Sequence, residues 1–401
     1  FAWVTKRLMG KVNIPLITTN RINTPELAEK VLADGCSNMV SMARPFLADP
    51  EFVRKAEQQR GDEINTCIAC NQACLDHIFK GKVASCLVNP RACRETSLNI
   101  QKVSLSKKVA VVGAGPAGLS AATNAAKAGH EVTLYDSAQE IGGQFNMAKR
   151  IPGKYDFYET IRYFKKQIEL HGVNLVLGKR VDAQELASFD HVIVATGVVP
   201  RKPQIPGIDH AKVHSYVEVL SGNAEIGKRV AIVGAGGIGF DVAEYLMHGE
   251  SEELKVDPFL EEWGVDKAFD NRGGVKKPND SKSKRDLVIM QRKPGKLGAG
   301  LGKTTGWIHR ASLKKGGVKM LAEVQYKSIS DEGFAIEVKG EPHLLEVDNI
   351  IICAGQHSLD ELTAGLQSVN VSYQKIGGAR LAGELDAKRA IEEGLIAATK
   401  I

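Results

Sequence analysis

The feature that most limits the fold of this chain is a glycine-rich turn that occurs twice. Gly113-Ala-Gly115-Pro-Ala-Gly118 and Gly234-Ala-Gly236-Gly-Ile-Gly239 each follow a β-rich run and precede a helical one. The first glycine allows a tight bend, the second lets the backbone approach a pyrophosphate, and the third lets the helix pack against the strand. Free N–H groups at the helix start then bind phosphate. The pattern predicts an α/β chain with two Rossmann-like, dinucleotide-binding units.

The strands after the two turns end differently. The run at 131–135 ends at Asp136, whose carboxylate can accept hydrogen bonds from ribose hydroxyls. The run at 286–290 ends in Gln291-Arg292-Lys293, where no acid stands. Arg292 and Lys293 can instead pair with the 2′-phosphate that distinguishes NADPH from NADH. The alternatives are a packing role for the first turn and a solvated basic turn for the second.

Further short motifs surround the two turns. Gly142-Gly143-Gln144 and Ala195-Thr196-Gly197 precede the second turn, and Cys353-Ala354-Gly355 follows it. This order resembles flavoproteins with two dinucleotide-binding domains, which implies an FAD domain (107–227 and 349–401) interrupted by an NADP domain (228–348). The residues assigned to FAD are Gly113, Gly115, Ala117, Gly118, Asp136, Gly143, Gln144, Val181, Ala195 and Gly197. Those assigned to NADPH are Gly234, Gly236, Gly239, Arg292 and Lys293.

Four of the seven cysteines form a motif between residues 61 and 106, namely Cys67, Cys70, Cys74 and Cys86. Three thiolates on one loop and a fourth on a return segment can enclose a 4Fe–4S cluster. Spacing alone leaves a structural zinc site as an equal alternative, since Cys-x-x-Cys suits both. The flavin unit that follows would give a cluster an electron source, so we favour an iron–sulfur segment. Cys36 and Cys353 are expected in the core.

Composition excludes several other classes of protein. No apolar run approaches the roughly 18 residues of a membrane span, and the first residues, 1–7, lack the apolar h-region of a signal peptide, so a cytoplasmic location is expected. A net charge of +6 suits anionic cofactors, but the sequence shows no basic groove for nucleic acid. The chain begins at Phe1 rather than Met, and we expect it to be part of a longer protein.

Residues 1–60 contain two strand-like runs and one helix, too little to form a domain alone. Pro15–Thr19 and Asn38–Ala43 read as parallel strands, and Thr24-Pro25 as the start of the helix between them. The faces of these elements need neighbours. The segment is therefore predicted to be the tail of a (β/α)₈ barrel.

The combined order resembles the old yellow enzyme and trimethylamine dehydrogenase family, in particular its bacterial NADPH-dependent 2,4-dienoyl-CoA reductases. The phrases that carry the resemblance are Thr18-Thr-Asn-Arg21, Met42-Ala-Arg-Pro-Phe46, Asn65–Leu75, Gly302–Arg310 and Glu384–Ile391. It implies a relay from NADPH through FAD, a 4Fe–4S cluster and FMN to a dienoyl-CoA of fatty acid β-oxidation. It also assigns the FMN phosphate to Arg21, Ala43 and Arg44.

The resemblance places the catalytic tyrosine and histidine of such enzymes upstream of Phe1. The catalytic residues and the substrate pocket are thus expected in an N-terminal barrel, which would be a partner of this chain. Three alternatives remain: a reductase of another enoate, an amine dehydrogenase, and a scaffold that binds nucleotide and zinc without turnover.

Overall fold

The computed structural model describes residues 1–250, 255–279, 282–383 and 386–401. They divide into two compact units. The first contains residues 1–145, 156–198 and 358–401, and the second contains residues 146–155 and 199–357. Glu384 and Leu385, which belong to one of the family-like phrases, lie outside the described residues.

The described strands include short pairs and the strands of two five-stranded sheets. In chain order they are β1 Ile17–Thr18, β2 Met39–Val40, β3 Lys108–Val112, β4 Glu131–Tyr135, β5 Asn174–Val176, β6 His191–Val194, β7 Val198–Pro200, β8 Val213–Ser215, β9 Arg229–Val233, β10 Asp286–Met290, β11 Lys319–Leu321, β12 Val324–Ser330, β13 Gly333–Val338, β14 Glu341–Leu345, β15 Asn349–Ile352, β16 Gln356–Ser358 and β17 Tyr373–Lys375.

The helices alternate with these strands through most of the chain. They are α1 Ala2–Lys6, α2 Pro25–Ala33, α3 Arg44–Ala48, α4 Phe52–Glu57, α5 Leu75–Phe79, α6 Pro116–Ala128, α7 Phe145–Ala148, α8 Phe157–Leu170, α9 Tyr216–Leu220, α10 Gly237–His248, α11 Val256–Glu262, α12 Gly306–Lys315, α13 Leu362–Ser368, α14 Gly377–Arg380 and α15 Ala387–Ala398. None of the described helices is long and apolar enough to cross a membrane.

The first unit is built on a parallel sheet in the order β17-β6-β3-β4-β5. The central strand β3 is buried from Val109 onward, as expected for a parallel strand covered on both faces. Helix α6 packs between this sheet and α15, and its small side chains permit a close approach. A Cβ on Gly394 of α15 would lie 2.3 Å from the carbonyl oxygen of Ala117. Tight packing thus fixes the helix that begins at the first glycine turn.

The second unit is built on a parallel sheet in the order β11-β10-β9-β15-β8. Strands β12, β13 and β14 form a separate antiparallel sheet. Strand β8 belongs to the second unit because it pairs with β15. The units therefore divide at residues 198 and 357, whereas the sequence analysis placed the domain boundaries at 227 and 348.

The N-terminal segment contains the predicted strand–helix–strand pattern. Strands β1 and β2 pair in parallel, with Ile17 opposite Met39. Thr24 caps α2 by accepting a hydrogen bond from the Leu27 N–H at 3.2 Å. Ile17 and Met39 are each more than half exposed, although both are large apolar residues of a parallel pair. Their exposed faces are those that a barrel would cover.

Candidate cofactor sites

The first glycine turn has the geometry that its sequence predicts. Gly113 adopts a φ of 109°, and a Cβ there would lie 2.4 Å from the carbonyl oxygen of Ala195. Gly118 lies so close to the turn that a Cβ would meet the Gly113 oxygen at 1.8 Å. Gly115 differs, because a Cβ there would meet only Gly143, at 4.0 Å. Two of these glycines are thus required by packing, whereas Gly115 leaves space on the side of a ligand.

A cavity of about 350 Å³ opens beside this turn. Three of the residues assigned to FAD line it, namely Gly113, Asp136 and Val181. The carboxylate of Asp136 accepts hydrogen bonds from the Ala114 N–H at 2.6 Å and from the Ala138 N–H at 2.8 Å. These bonds hold the carboxylate at the end of β4, where it faces the cavity. The volume lies within the range of about 300–1,000 Å³ that is typical of small-molecule sites.

The remaining residues assigned to FAD lie around the same turn. Gly143 adopts a φ of 51°, and a Cβ there would lie 2.9 Å from the Cα of Gly115. Gln144 is half-buried, and Ala117 is buried in the first turn of α6. The Ala195 N–H donates to the Val112 carbonyl at 2.8 Å, and Gly197 adopts a φ of 81°. Their assignment to FAD stays a prediction.

Sequence reasoning missed several residues that line this cavity. They are Ser137, Lys179, Arg180, Thr196, Leu359, Glu361 and Leu362, among others. Thr196 donates its hydroxyl hydrogen bond to the Leu359 carbonyl, which joins the Ala195-Thr196-Gly197 segment to a distant part of the chain. Only Thr196 had a local signal, because it stands inside that motif.

The second glycine turn has nearly the same backbone geometry as the first. Gly234 adopts a φ of 111°, and a Cβ there would lie 2.4 Å from the carbonyl oxygen of Cys353. A Cβ on Gly239 would lie 1.9 Å from the Gly234 oxygen. Gly236 is the N-cap of α10 and has open space where a Cβ would stand. The open position again lies where a pyrophosphate would approach the helix N-terminus.

Arg292 and Lys293 follow β10, the strand next to the second turn, and both are exposed. Within the described residues neither side chain has an ion pair or hydrogen bond. Arg292 lies near the ring of Tyr326: burial raises the pKa of Tyr326 to about 12, while the positive charge of Arg292 opposes that rise. Gln291, which received no role from its place in the sequence motif, donates to the Lys293 carbonyl at 3.0 Å and shapes this loop.

The four cysteines of the predicted cluster segment line one small cavity. Burial raises the pKa of Cys67, and it raises those of Cys70 and Cys86 to about 12. Backbone N–H groups nevertheless face these sulfurs: Ala69 toward Cys67, Gln72 toward Cys70, and Val88 and Asn89 toward Cys86. Buried thiols with N–H donors suit thiolates that are neutralised by bound metal.

Two further features describe the four-cysteine segment: the arrangement of its side chains and the backbone of the loop around Cys70. No group of three or more His, Cys, Asp or Glu side chains in the described parts of the chain has the arrangement needed to hold a metal ion. The loop around Cys70 is held by Ala69 and Asn71, which adopt φ values of 51° and 60°. Left-handed backbone is uncommon for residues other than glycine, so this loop has an unusual, specified shape. The sequence analysis did not single out Asn71.

The other cysteines lie apart from this cavity. Cys36 and Cys353 are buried, as predicted, and burial raises the pKa of Cys353. Cys93 is exposed. His309 is half-buried on α12, and burial lowers its pKa.

The residues assigned to the FMN phosphate also come together. Arg21, Ala43 and Arg44 line a cavity of about 80 Å³. Arg21 pairs with Asp156 at 2.9 Å through Nη2, whereas its Nη1 is buried without a partner. A buried guanidinium nitrogen without an acceptor fits a phosphate oxygen. Arg44 donates to the Oδ1 of Asn71 at 2.5 Å, a contact with the cysteine loop.

Two glycine turns that each lead into a helix, with an acid after one and a basic pair after the other, define a flavin- and pyridine-nucleotide-dependent oxidoreductase. Residues 107–383 match the pyridine nucleotide-disulphide oxidoreductase family, and the chain belongs to it. Residues 3–63 match the NADH:flavin oxidoreductase / NADH oxidase family, in agreement with an old yellow enzyme-like barrel segment.

Curated relatives extend this likeness over nearly the whole chain. A metal reductase of Desulforamulus reducens is 34% identical over 94% of this chain and 56% of its own length. An NADH oxidase of Thermoanaerobacter brockii is 30% identical over 96% of this chain and 55% of its own. The solved structure of a 2-naphthoyl-CoA reductase with 2-naphthoyl-CoA is 28% identical in sequence, with a TM-score of 0.86. The match covers 98% of this chain and 55% of the chain of that reductase. The chain spans about half the length of these relatives.

Proposed function

We propose that this chain is the electron-input half of an NADPH-dependent iron–sulfur flavoprotein that reduces a 2,4-dienoyl-CoA thioester. One observation carries the proposal: Arg44, Cys67 and Ala69 line both the cavity of the four cysteines and the cavity of the phosphate-binding arginines. A redox centre held by the cysteines would therefore adjoin a phosphate-bearing cofactor. When bound, FAD would accept hydride from NADPH, and the cluster and FMN would carry the electrons to the substrate.

The protein's own contribution is binding, orientation and charge. Gly115 and the start of α6 would meet the FAD pyrophosphate, and Asp136 would accept hydrogen bonds from its ribose. For NADPH, Gly236 would meet the pyrophosphate. Arg292 and Lys293 would pair with the 2′-phosphate. Cys67, Cys70, Cys74 and Cys86 would hold the cluster, and Arg21, Ala43 and Arg44 the FMN phosphate.

The thioester substrate is the finer part of the proposal. The similar 2-naphthoyl-CoA reductase, solved with 2-naphthoyl-CoA, supports a CoA thioester, and a 27% identical cinnamate reductase of Clostridium sporogenes supports the reduction of another enoate. A 33% identical N,N-dimethylglycine/sarcosine dehydrogenase supports amine oxidation as the alternative chemistry. The family-like phrases of the sequence favour the dienoyl-CoA among these substrates.

The test uses the purified chain loaded with iron, sulfide and FAD. Metal analysis and a visible spectrum should show iron together with flavin. Cys86→Ala should lose the iron and keep the FAD, whereas the matched control Cys93→Ala, at the exposed cysteine, should keep both. Zinc in the wild-type chain as purified, with no iron taken up when iron and sulfide are supplied, would instead support the scaffold without turnover.

A further inference from the structure

A second cavity, of about 400 Å³, borders Cys86 on another side of the cluster segment. Its lining includes His77 of α5, Lys82, Arg94, and Lys388 and Glu392 of α15. Neither the nucleotide sites nor the phosphate-binding arginines use these residues. The volume suffices for a small molecule or a metal chelate.

The charges around this cavity do not cancel. Arg94 is paired with Glu392, so these two charges offset each other. Lys388 donates to the Nε2 of His77 at 3.2 Å, and the Nδ1 of His77 lies 2.9 Å from the Val83 carbonyl. Since an ammonium can only donate, the Nε2 of His77 accepts from Lys388 and its Nδ1–H donates to the Val83 carbonyl. Among the described residues, the ammonium of Lys388 has no carboxylate partner.

Lys82 adds a second positive charge at the exposed rim. Its ammonium has no carboxylate partner in the part of the chain that the structure describes. Two uncompensated cations at the mouth of one concave site attract anions, and concave walls of low dielectric strengthen the attraction. The cavity therefore favours an anionic occupant over a neutral or cationic one.

We propose that this cavity binds an anionic metal chelate and that the chelate is reduced there by one electron, beside Cys86. The inference rests on the proposed function, because Cys86 is one of the four cysteines that would hold the redox centre. It adds a route by which electrons leave the chain without reaching FMN. The 34% identical relative named as a metal reductase supports this substrate class.

The electrons balance with the chelate as oxidant and NADPH as reductant. Each NADPH gives two electrons and leaves as NADP⁺ with one proton released. Two chelates take one electron each, and the metal in each falls by one oxidation state, for example from Fe(III) to Fe(II) in a citrate complex. No bond within the chelate ligand needs to form or break.

Binding is tested first with hexacyanocobaltate(III), a trianion that is not readily reduced, by titration calorimetry on the iron-loaded chain. We expect the wild type to bind it and the double variant Lys82→Gln with Lys388→Gln to bind at least about tenfold more weakly. Lys165→Gln, at an exposed lysine of α8, removes one charge outside the cavity and should leave binding unchanged. No binding by the wild type, or an equal loss in Lys165→Gln, would overturn the inference.

Reduction is then measured with NADPH and ferric citrate. The double variant should lose kcat/KM by a factor similar to its loss of affinity for the trianion, while bleaching of the flavin by NADPH stays at the wild-type rate. Unchanged reduction of ferric citrate would overturn the site as the point of electron exit. A chain without iron would overturn the proposed function and the reduction step together, whereas an iron-loaded chain that binds no trianion would overturn the cavity alone.

Discussion

At the scale of single residues, the glycines of the two turns fall into two kinds. Gly113, Gly118, Gly234 and Gly239 face backbone at less than 2.5 Å from where a Cβ would stand. Gly115 and Gly236 have no atom closer than 4.0 Å and have negative φ values. An added methyl group at these two positions would point only at a bound pyrophosphate.

This difference predicts a matched pair of variants. Gly115→Ala should fold normally but lose FAD, because its methyl group occupies the place of the FAD pyrophosphate. Gly236→Ala should keep FAD and lose affinity for NADPH. Flavin content after gel filtration and NADPH titration measure the two effects. Loss of FAD from Gly236→Ala, or full retention of FAD by Gly115→Ala, would contradict the assignment of the two turns.

The exposed pair Arg292 and Lys293 predicts the choice of cofactor. A charge-assisted hydrogen bond contributes about 1.5–3 kcal/mol, so Arg292→Ala with Lys293→Ala should lower the affinity for NADPH by roughly one to two decades. NADH lacks the 2′-phosphate and should lose much less. Steady-state reduction of ferricyanide compares the two cofactors, with Lys314→Ala on the exposed side of α12 as the control. A double variant that keeps its full preference for NADPH would identify the pair as a solvated turn.

At the scale of elements, helix α10 carries a buried acid that the sequence analysis overlooked. Glu244 is 7% exposed, accepts a hydrogen bond from the Ser312 hydroxyl at 3.0 Å, and lies 3.5 Å from the Nε2 of His248. Burial raises its pKa to about 7 from an ordinary value of 4.5. The folded state therefore holds a proton on Glu244 that the unfolded state releases between these two values.

The sign of this shift predicts how stability depends on pH. Because the folded-state pKa is the higher one, Glu244 destabilises the fold progressively as pH rises from about 4.5 to about 7. Glu244→Gln removes the titration and should increase the free energy of unfolding by about 3 kcal/mol at pH 8 relative to pH 4. Denaturant unfolding at both pH values measures the difference. An equal effect at the two pH values would show that folding does not raise the pKa of Glu244.

The elements also show what the sequence could and could not predict. Local signals were sufficient for α2, which is capped by Thr24 and begins at Pro25, and for both glycine turns, because the spacing of the glycines lies within one short stretch of sequence. Strand β8 had no local signal in the sequence, since its pairing with β15 joins residues more than a hundred positions apart. The contacts of Arg44 with Asn71 and of Lys388 with His77 are likewise long-range and leave no local pattern.

At the scale of the whole molecule, the first unit brings the cavity beside the first glycine turn, the four-cysteine cavity and the cavity lined by Arg21 and Arg44 into one compact body. The order of these sites along the chain is the reverse of the proposed electron path from FAD to FMN. Surface ion pairs such as Arg180–Glu361 contribute little to this arrangement, because exposed pairs are weak. The packing of α6 against α15 and the central sheet holds the nucleotide turn in place.

The most direct test of this account is electron paramagnetic resonance of the FAD- and iron-loaded chain after anaerobic addition of NADPH. The account predicts that NADPH bleaches the flavin and produces the signal of a reduced iron–sulfur centre. In Cys70→Ala the flavin should still bleach and the signal should be absent. A wild-type chain whose flavin is fully reduced without any such signal would contradict the claim that its four cysteines hold the next carrier of electrons.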